Sequence, residues 1–155
     1  MDESGLNVDG AGIKVGVLYN SFNDLGGAAT DEADGALPSA SNIQVLSDLS
    51  SGGTDEGRAM MQIIYDIAPG ANLAFYTAAN SEQDLANGIL ALAAAGCKVI
   101  CDDFGYYDEP FFLPERHRRA NHSKSGIGRR HLYLCGRQRC EQCLSGGLDA
   151  DVRIL

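Results

Sequence analysis

The stretch Ile13-Lys14-Val15-Gly16-Val17-Leu18-Tyr19 decides the fold of this chain. It is short, apolar and rich in β-branched residues. It follows Gly10-Ala11-Gly12 and precedes a Gly-, Ala- and Asp-rich segment that runs to Asn42. An unbroken apolar run of this kind is typical of a strand that is buried on both faces, as in parallel sheets. We therefore predict a buried first strand followed by a long surface loop.

Two amphipathic helices are predicted farther along the chain. Apolar residues at positions 60, 63, 64 and 67 share one helical face, which indicates a helix over 55–67. Thr54 or Asp55 is placed to cap its free amides. A second helix is expected to begin at Ser81-Glu82-Gln83-Asp84, which is close to a capping box, and to end at Gly96.

Three further strands are predicted over 43–48, 72–77 and 97–101. Apolar strands separated by helices of about a dozen residues indicate an α/β domain, a parallel sheet with helices on both faces. In such sheets, functional side chains collect at the carboxyl ends of the strands. The fourth of these ends is Asp102-Asp103-Phe104-Gly105.

The composition of the chain changes abruptly near Phe112. Residues 1–113 contain three basic residues and seventeen acidic ones, whereas residues 114–155 contain nine basic and four acidic. We predict a partial α/β domain over 1–113, with its sheet incomplete, and an irregular Arg- and Cys-rich tail over 114–155. The tail is interpreted as an out-of-frame translation, because a one-base shift in a GC-rich frame turns alanine and glycine codons into arginine, cysteine and proline codons.

Two alternatives for the tail concern its ligands. His131, Cys135, Cys140 and Cys143 are residue types that bind tetrahedral zinc, but their spacing is irregular and only one pair is close. The neighbouring arginines would suit a nucleic acid. The expectation adopted is that the chain has no metal, no other cofactor and no nucleic-acid partner.

The sequence also predicts no membrane partner and no export signal. No apolar run reaches the length of about 18 residues that a spanning helix needs. The start, Met1-Asp2-Glu3-Ser4-Gly5, lacks the basic segment and apolar run of a secretory signal. Cys97 and Cys101 lie in an apolar run, so we expect them to be buried as small hydrophobic residues. The oligomeric state is left open.

The order of these segments resembles the subtilisin-like serine peptidases, the subtilases, and the related sedolisins. The stretch from Gly10 to Leu18 resembles the glycine-led strand that delivers the subtilase aspartate. Asp66-Ile67-Ala68-Pro69-Gly70-Ala71 resembles the Val-Ala-Pro-Gly-Ala turn after the histidine-bearing helix, and 85–105 resembles the helix and strand that wall the substrate cleft. The resemblance covers residues 10–113. It implies peptide-bond hydrolysis by a serine nucleophile, a peptide or protein substrate, and extracellular intact relatives.

The chain departs from the subtilase pattern at the catalytic positions. Asn20 stands where the family has its aspartate, and Glu56 stands where it has its histidine. Sedolisins place a glutamate at the second position but support it with an aspartate one turn later, where this chain has Met60. Neither the Ala-Gly-Asn strand nor the Gly-Thr-Ser-x-Ala nucleophile helix appears. Asn20 and Glu56 are thus predicted to be substituted catalytic positions of an inactive peptidase fragment.

Both positions also have a purely structural explanation. An asparagine after a strand can shape the following loop through bonds from its side chain to the backbone, and the helix dipole by itself favours an acidic residue in the first turn. Three residues, Asp103, Phe104 and Gly105, are predicted to bind substrate because the resemblance places them on the cleft wall. A solvated strand end is the alternative for Asp103.

The sequence leaves two alternative functions. The first is a non-catalytic peptide- or protein-binding α/β module that uses the same groove, with Tyr106, Tyr107, Phe111 and Phe112 as further wall residues. The second is a nucleotide-binding domain. It is disfavoured because Gly10-x-Gly12 precedes the first strand, whereas a dinucleotide-binding fingerprint follows it.

Overall fold

A computed structural model describes residues 8–105 and 153–154 of the chain. The predicted zinc ligands, the aromatic residues between 106 and 112 and most of the tail therefore lie outside the described residues. The elements in chain order are β1 (Lys14–Tyr19), α1 (Ala28–Ala33), a 3-10 turn (Ala40–Asn42), β2 (Ile43–Ser47), α2 (Glu56–Ile67), β3 (Asn72–Thr77), α3 (Glu82–Ala94), β4 (Val99–Asp102) and β5 (Arg153–Ile154).

The strands form one parallel sheet in the order β2-β3-β1-β4-β5. β1 lies at its centre, with Val17 in register with Phe75 of β3 on one side and with Cys101 of β4 on the other. β5 contributes two residues, which pair with Val99 and Ile100 of β4. The predicted α/β class with a parallel sheet is confirmed.

Helices cover both faces of the sheet, as predicted. Successive residues of a strand point to opposite faces, so β1 supplies both layers of the core. Val17 packs in the layer that contains Met61 of α2, and Leu18 packs in the layer that contains Ile89 of α3. The fully buried side chains on the α2 face also include Leu73 and Phe75, and those on the α3 face include Leu92 and Ile100.

The segment between β1 and β2 was predicted to be a long surface loop, and this prediction was wrong. It contains α1, a helix of six residues, and the 3-10 turn before β2. The start of α1 is fixed by the Asn23 side chain, whose Oδ1 accepts a hydrogen bond from Ala28 N at 3.1 Å. Leu37, which follows α1, is buried in the core on the α2 face. The segment is therefore part of the packed domain.

The two predicted helix caps have different outcomes. Asp55 occupies the N-cap position of α2, but its side chain makes no capping hydrogen bond. At α3, Ser81 Oγ accepts from Asp84 N at 3.1 Å, as the capping motif predicted, whereas the Asp84 carboxylate accepts from Tyr76 Oη at 2.8 Å. Gly96 follows α3 with φ +89°, the left-handed conformation expected of a helix stop.

The two described cysteines differ in burial. Cys97 is fully buried, as predicted, and Cys101 is half-buried. Burial raises the pKa of the Cys97 thiol to about 11, although the nearby Lys14 charge acts in the opposite direction. The thiol is therefore protonated near neutral pH, which suits a packing residue.

Candidate functional site

The carboxyl ends of β2 and β3 contact the segment that follows β1. Thr77 Oγ1, at the end of β3, donates to the Asn20 carbonyl oxygen at 2.5 Å. The carboxylate of Asp48, just beyond β2, accepts from Phe22 N and Asn23 N at 2.8 and 2.9 Å. The strand ends thus meet at one edge of the sheet, as expected for this topology.

Asn20 is half-buried at this edge, and neighbouring groups hold its side chain. Its Nδ2 donates to Thr54 Oγ1 at 2.6 Å, and its Oδ1 accepts from Ser21 Oγ at 3.3 Å. The side chain therefore ties the end of β1 to the turn before α2. Both partners are side chains, whereas the structural alternative for this residue expected bonds to the backbone of the following loop.

Glu56 is the first residue of α2, and it is exposed. Within the described part of the chain, no hydrogen bond joins its carboxylate to the Asn20 side chain. The structure places both predicted catalytic positions at the carboxyl edge but does not bring them together as a hydrogen-bonded pair.

Asp55, the residue before Glu56, organises this edge. Its position in the sequence predicts only a helix cap. It is 5% exposed. Its Oδ1 accepts from Ser21 Oγ and Asp24 N, each at 2.8 Å, and its Oδ2 accepts from Leu25 N at 3.1 Å. The carboxylate therefore serves the loop after β1 instead of the first turn of its own helix.

Arg58 supplies the positive charge beside Asp55. Its Nη1 lies 2.5 Å from Asp55 Oδ2 and donates to the Phe22 carbonyl oxygen at 2.6 Å. Its Nε lies 2.7 Å from Asp31 Oδ2 in α1. We refer to Ser21, Asp31, Asp55 and Arg58 as the Asp55 cluster. The cluster links the end of β1, α1 and the start of α2.

The electrostatics of the cluster keep Asp55 ionised. Burial acts to raise the pKa of Asp55, but hydrogen bonds from Ser21, Arg58 and Leu25, with the Arg58 charge, outweigh it and lower the pKa below its ordinary value. Among the described residues other than glycine, Asp55 alone has a positive φ, +55°. Aspartate tolerates this left-handed conformation better than most residues.

Two glycines allow the backbone to pack against the cluster. A Cβ on Gly53 would meet the Ser21 side chain, and a Cβ on Gly57 would meet the Phe75 ring and the Ser21 carbonyl oxygen. Gly57 is also buried inside α2, where glycine is otherwise unfavourable. The run Gly52-Gly53-Thr54-Asp55-Glu56-Gly57 was therefore the sequence signal for a close approach at Asp55.

The chemistry of the Asp55 cluster is that of a structural support. Ser21 is fully buried, and its Oγ accepts from Asp55 N at 2.7 Å while it faces Asp55 Oδ1. A hydroxyl in this position cannot approach a substrate carbonyl, and the Asp55 carboxylate has no oxygen left for an imidazole. Across residues 8–105 and 153–154, no group of three or more His, Cys, Asp or Glu side chains is arranged to hold a metal ion.

The predicted substrate-binding residues follow β4 at the same edge of the sheet. Phe104 is half-buried and packs edge-on against Tyr19, with ring centroids 5.7 Å apart and planes at 77°. Asp103 and Gly105, on either side of it, are exposed. The segment therefore presents accessible backbone next to an aromatic pair.

No helix within the described ranges combines the length and apolar character needed to cross a bilayer. Comparisons with protein-family models, curated proteins and solved structures found no match. The similarity to subtilases therefore stays a prediction from the motifs quoted above.

Proposed function

We propose that this chain is a subtilase-related α/β domain that does not hydrolyse peptide bonds. The observation that carries the proposal is the bond from Asn20 Nδ2 to Thr54 Oγ1, at 2.6 Å. A triad carboxylate orients an imidazole by accepting its N–H, and it stabilises the imidazolium that forms. A neutral amide carries no charge to stabilise an imidazolium, and the Asn20 amide is already bonded to Thr54 and Ser21.

The groups around Asn20 support the same proposal. Glu56 is exposed and carries no imidazole, and the Ser21 hydroxyl is sealed in the Asp55 cluster. Acyl transfer needs a hydroxyl that is activated by a base and open to the substrate. The buried pair of the Ser21 hydroxyl and the Asp55 carboxylate holds the loop after β1 in place.

A fluorophosphonate probe and a fluorogenic peptide test the proposal on the purified full-length chain. We expect no covalent labelling and no turnover, alongside a serine peptidase as positive control. The variant Asn20→Asp, which restores the family residue, is expected to stay inactive because no accessible nucleophile is gained. Labelling of the chain, or turnover that Glu56→Gln abolishes, would refute the proposal.

A second candidate function is peptide binding without catalysis. It is favoured by exposed Asp103 and Gly105 beside the Tyr19–Phe104 pair. An extended peptide binds through main-chain hydrogen bonds, with apolar pockets for its side chains. Fluorescence polarisation with a library of labelled extended peptides tests it. Saturable binding that Phe104→Ala weakens, and that Leu25→Ala leaves unchanged, would support this function, and absence of saturable binding would exclude it.

A further inference from the structure

An open cavity of about 440 Å³ lies at the opposite edge of the sheet, where β1, β2 and β3 begin. Small-molecule sites commonly enclose about 300–1,000 Å³. The cavity is far from the converging strand ends, so it is independent of the proposed function. Its lining is mostly polar and consists of Lys14, Ser41, Asn42, Ile43, Gln44, Asn72 and Leu73.

The lining contains no carboxylate, although residues 1–113 carry seventeen acidic residues and three basic ones. Lys14 is one of those three. A second, Lys98, is adjacent in the sheet, because Lys98 N donates to the Lys14 carbonyl oxygen at 2.9 Å. Two of the three basic residues of this acidic region are therefore neighbours at the amino edge of the sheet.

The Lys14 ammonium bonds only to neutral oxygens within the described residues. Its Nζ donates to Gln44 Oε1 at 2.9 Å and to the Ala95 carbonyl oxygen at 3.0 Å, beyond the end of α3. An ammonium has three N–H donors, so one is left. No described carboxylate forms an ion pair with this charge.

The amides of the cavity add neutral donors. Because Gln44 Oε1 accepts from Lys14, Gln44 Nε2 is left as a donor, and Asn42 and Asn72 contribute further amide groups. Donors around one positive charge favour a ligand that is rich in acceptors and carries an anionic head. Lysine binds phosphate as a point charge.

We propose that this cavity binds a small phosphorylated sugar, with the phosphate at Lys14 and the hydroxyl groups at the amides of Asn42, Gln44 and Asn72. The phosphate takes the remaining Lys14 donor. The neutral amides discriminate weakly among sugars, so the anionic head dominates the affinity.

The test is an amide chemical-shift titration of the full-length chain with ribose 5-phosphate, ribose, inorganic phosphate and gluconate. Saturable shifts that centre on residues 42–44 and 72–73 are expected with ribose 5-phosphate, with much weaker effects from ribose. Absence of saturable shifts at these residues refutes the proposal, and equal affinity for gluconate refutes the preference for phosphate.

Charge variants distinguish this site from general attraction to positive charge. Lys14→Met is expected to weaken binding by about tenfold or more, the effect of losing one charge-assisted hydrogen bond. Lys98→Met removes the same charge from a neighbour that does not line the cavity, and it should leave the affinity nearly unchanged. An equal loss in both variants would overturn the assignment.

Asn72→Asp covers the case in which Lys14→Met fails to fold. Asn72 is in register with Lys14, so the new carboxylate lies within reach of the ammonium and can take its remaining donor. Binding of ribose 5-phosphate is expected to disappear in this variant, because the carboxylate repels the phosphate. Unchanged affinity would contradict the site.

Discussion

At the carboxyl edge of the sheet the buried Asp55 carboxylate is paired with Arg58, whereas at the amino edge the Lys14 ammonium donates to the neutral oxygens of Gln44 and Ala95. The first charge is nearly sealed from solvent, and its acceptor capacity is used inside the protein. The second charge faces a cavity and keeps a donor. The difference teaches that a charged cluster whose bonds are all made inside the protein supports the fold, whereas a charge beside a cavity that keeps a donor is the candidate for binding a ligand.

The same contrast separates two adjacent residues. Asp55 and Glu56 lie side by side at the start of α2, yet one is 5% exposed and multiply bonded while the other is exposed. The resemblance to subtilases directed attention to Glu56. The hydrogen bonds show that Asp55 holds this edge together. Substitutions of Asp55 and of Glu56 test the difference between the two residues.

The largest effect is expected from Gly57→Ala. The added methyl group would meet the Phe75 ring and the Ser21 carbonyl oxygen, so α2 must move away from the sheet. Overpacking of this kind costs about 3 kcal/mol of unfolding free energy. Urea unfolding measures it, with Ala59→Ser, an exposed change in the same helix, as the control. A loss no greater than in the control would mean that the close approach at Gly57 is not needed.

Asp55→Asn is expected to rank second. The substitution keeps the size and the tolerance for a left-handed backbone, but it removes the charge opposite Arg58. Because Arg58 keeps Asp31 as a partner, we expect a loss of about 2 kcal/mol, less than for a fully orphaned buried charge. The matched control is Glu56→Gln, which should change the unfolding free energy by less than about 0.5 kcal/mol. Equal losses in the two variants would remove the distinction between these neighbours.

Phe104→Ala tests the other part of the carboxyl edge and should have a smaller effect. It removes the edge-on contact with Tyr19, worth about 1 kcal/mol beyond the burial of the ring, from a half-buried side chain that also packs against the core on the α3 face. Thermal unfolding and near-ultraviolet circular dichroism report on this pair. An unchanged aromatic spectrum would show that Phe104 does not pack on Tyr19 in solution.

The smallest effect is expected from pH. The folded-state pKa of Asp55 is lowered, so its ionised form contributes stability above the unfolded-state pKa, and this contribution is lost as the pH falls through the folded-state value. The unfolding free energy of the unmodified chain should therefore fall more steeply below about pH 4 than that of Asp55→Asn. Urea unfolding of both proteins between pH 2 and 7 compares the slopes. Parallel slopes would contradict the lowered pKa.

The sequence predicted the central elements of the fold well. The bounds of β3 agree with the predicted 72–77, and Ser81 and Gly96 lie at the two ends of α3 as their residue types indicated. These elements have strong local signals, namely an unbroken apolar run, a capping serine and a glycine with positive φ. Local signals suffice where local and tertiary preferences agree.

The elements that the sequence did not predict depend on distant contacts. The six-residue helix α1 has no long apolar period, and it is held by Asn23 and by the ion pair from Asp31 to Arg58. The role of Asp55 depends on Ser21, a residue 34 positions earlier in the chain. From its position before α2, Asp55 is predicted only as one of two possible helix caps. The sequence does not show that its left-handed backbone turns the carboxylate toward the loop after β1.

The most direct test of this account is the pKa of the Asp55 side chain, measured by carbon-detected NMR of its carboxyl group in the folded protein. The account holds that the carboxyl-edge charge is paired and hydrogen-bonded inside the protein. It predicts a pKa below the ordinary value of 3.8, with little change in that pKa in the variant Glu56→Gln. A pKa at or above 3.8, or one that moves strongly when Glu56 is neutralised, would contradict it.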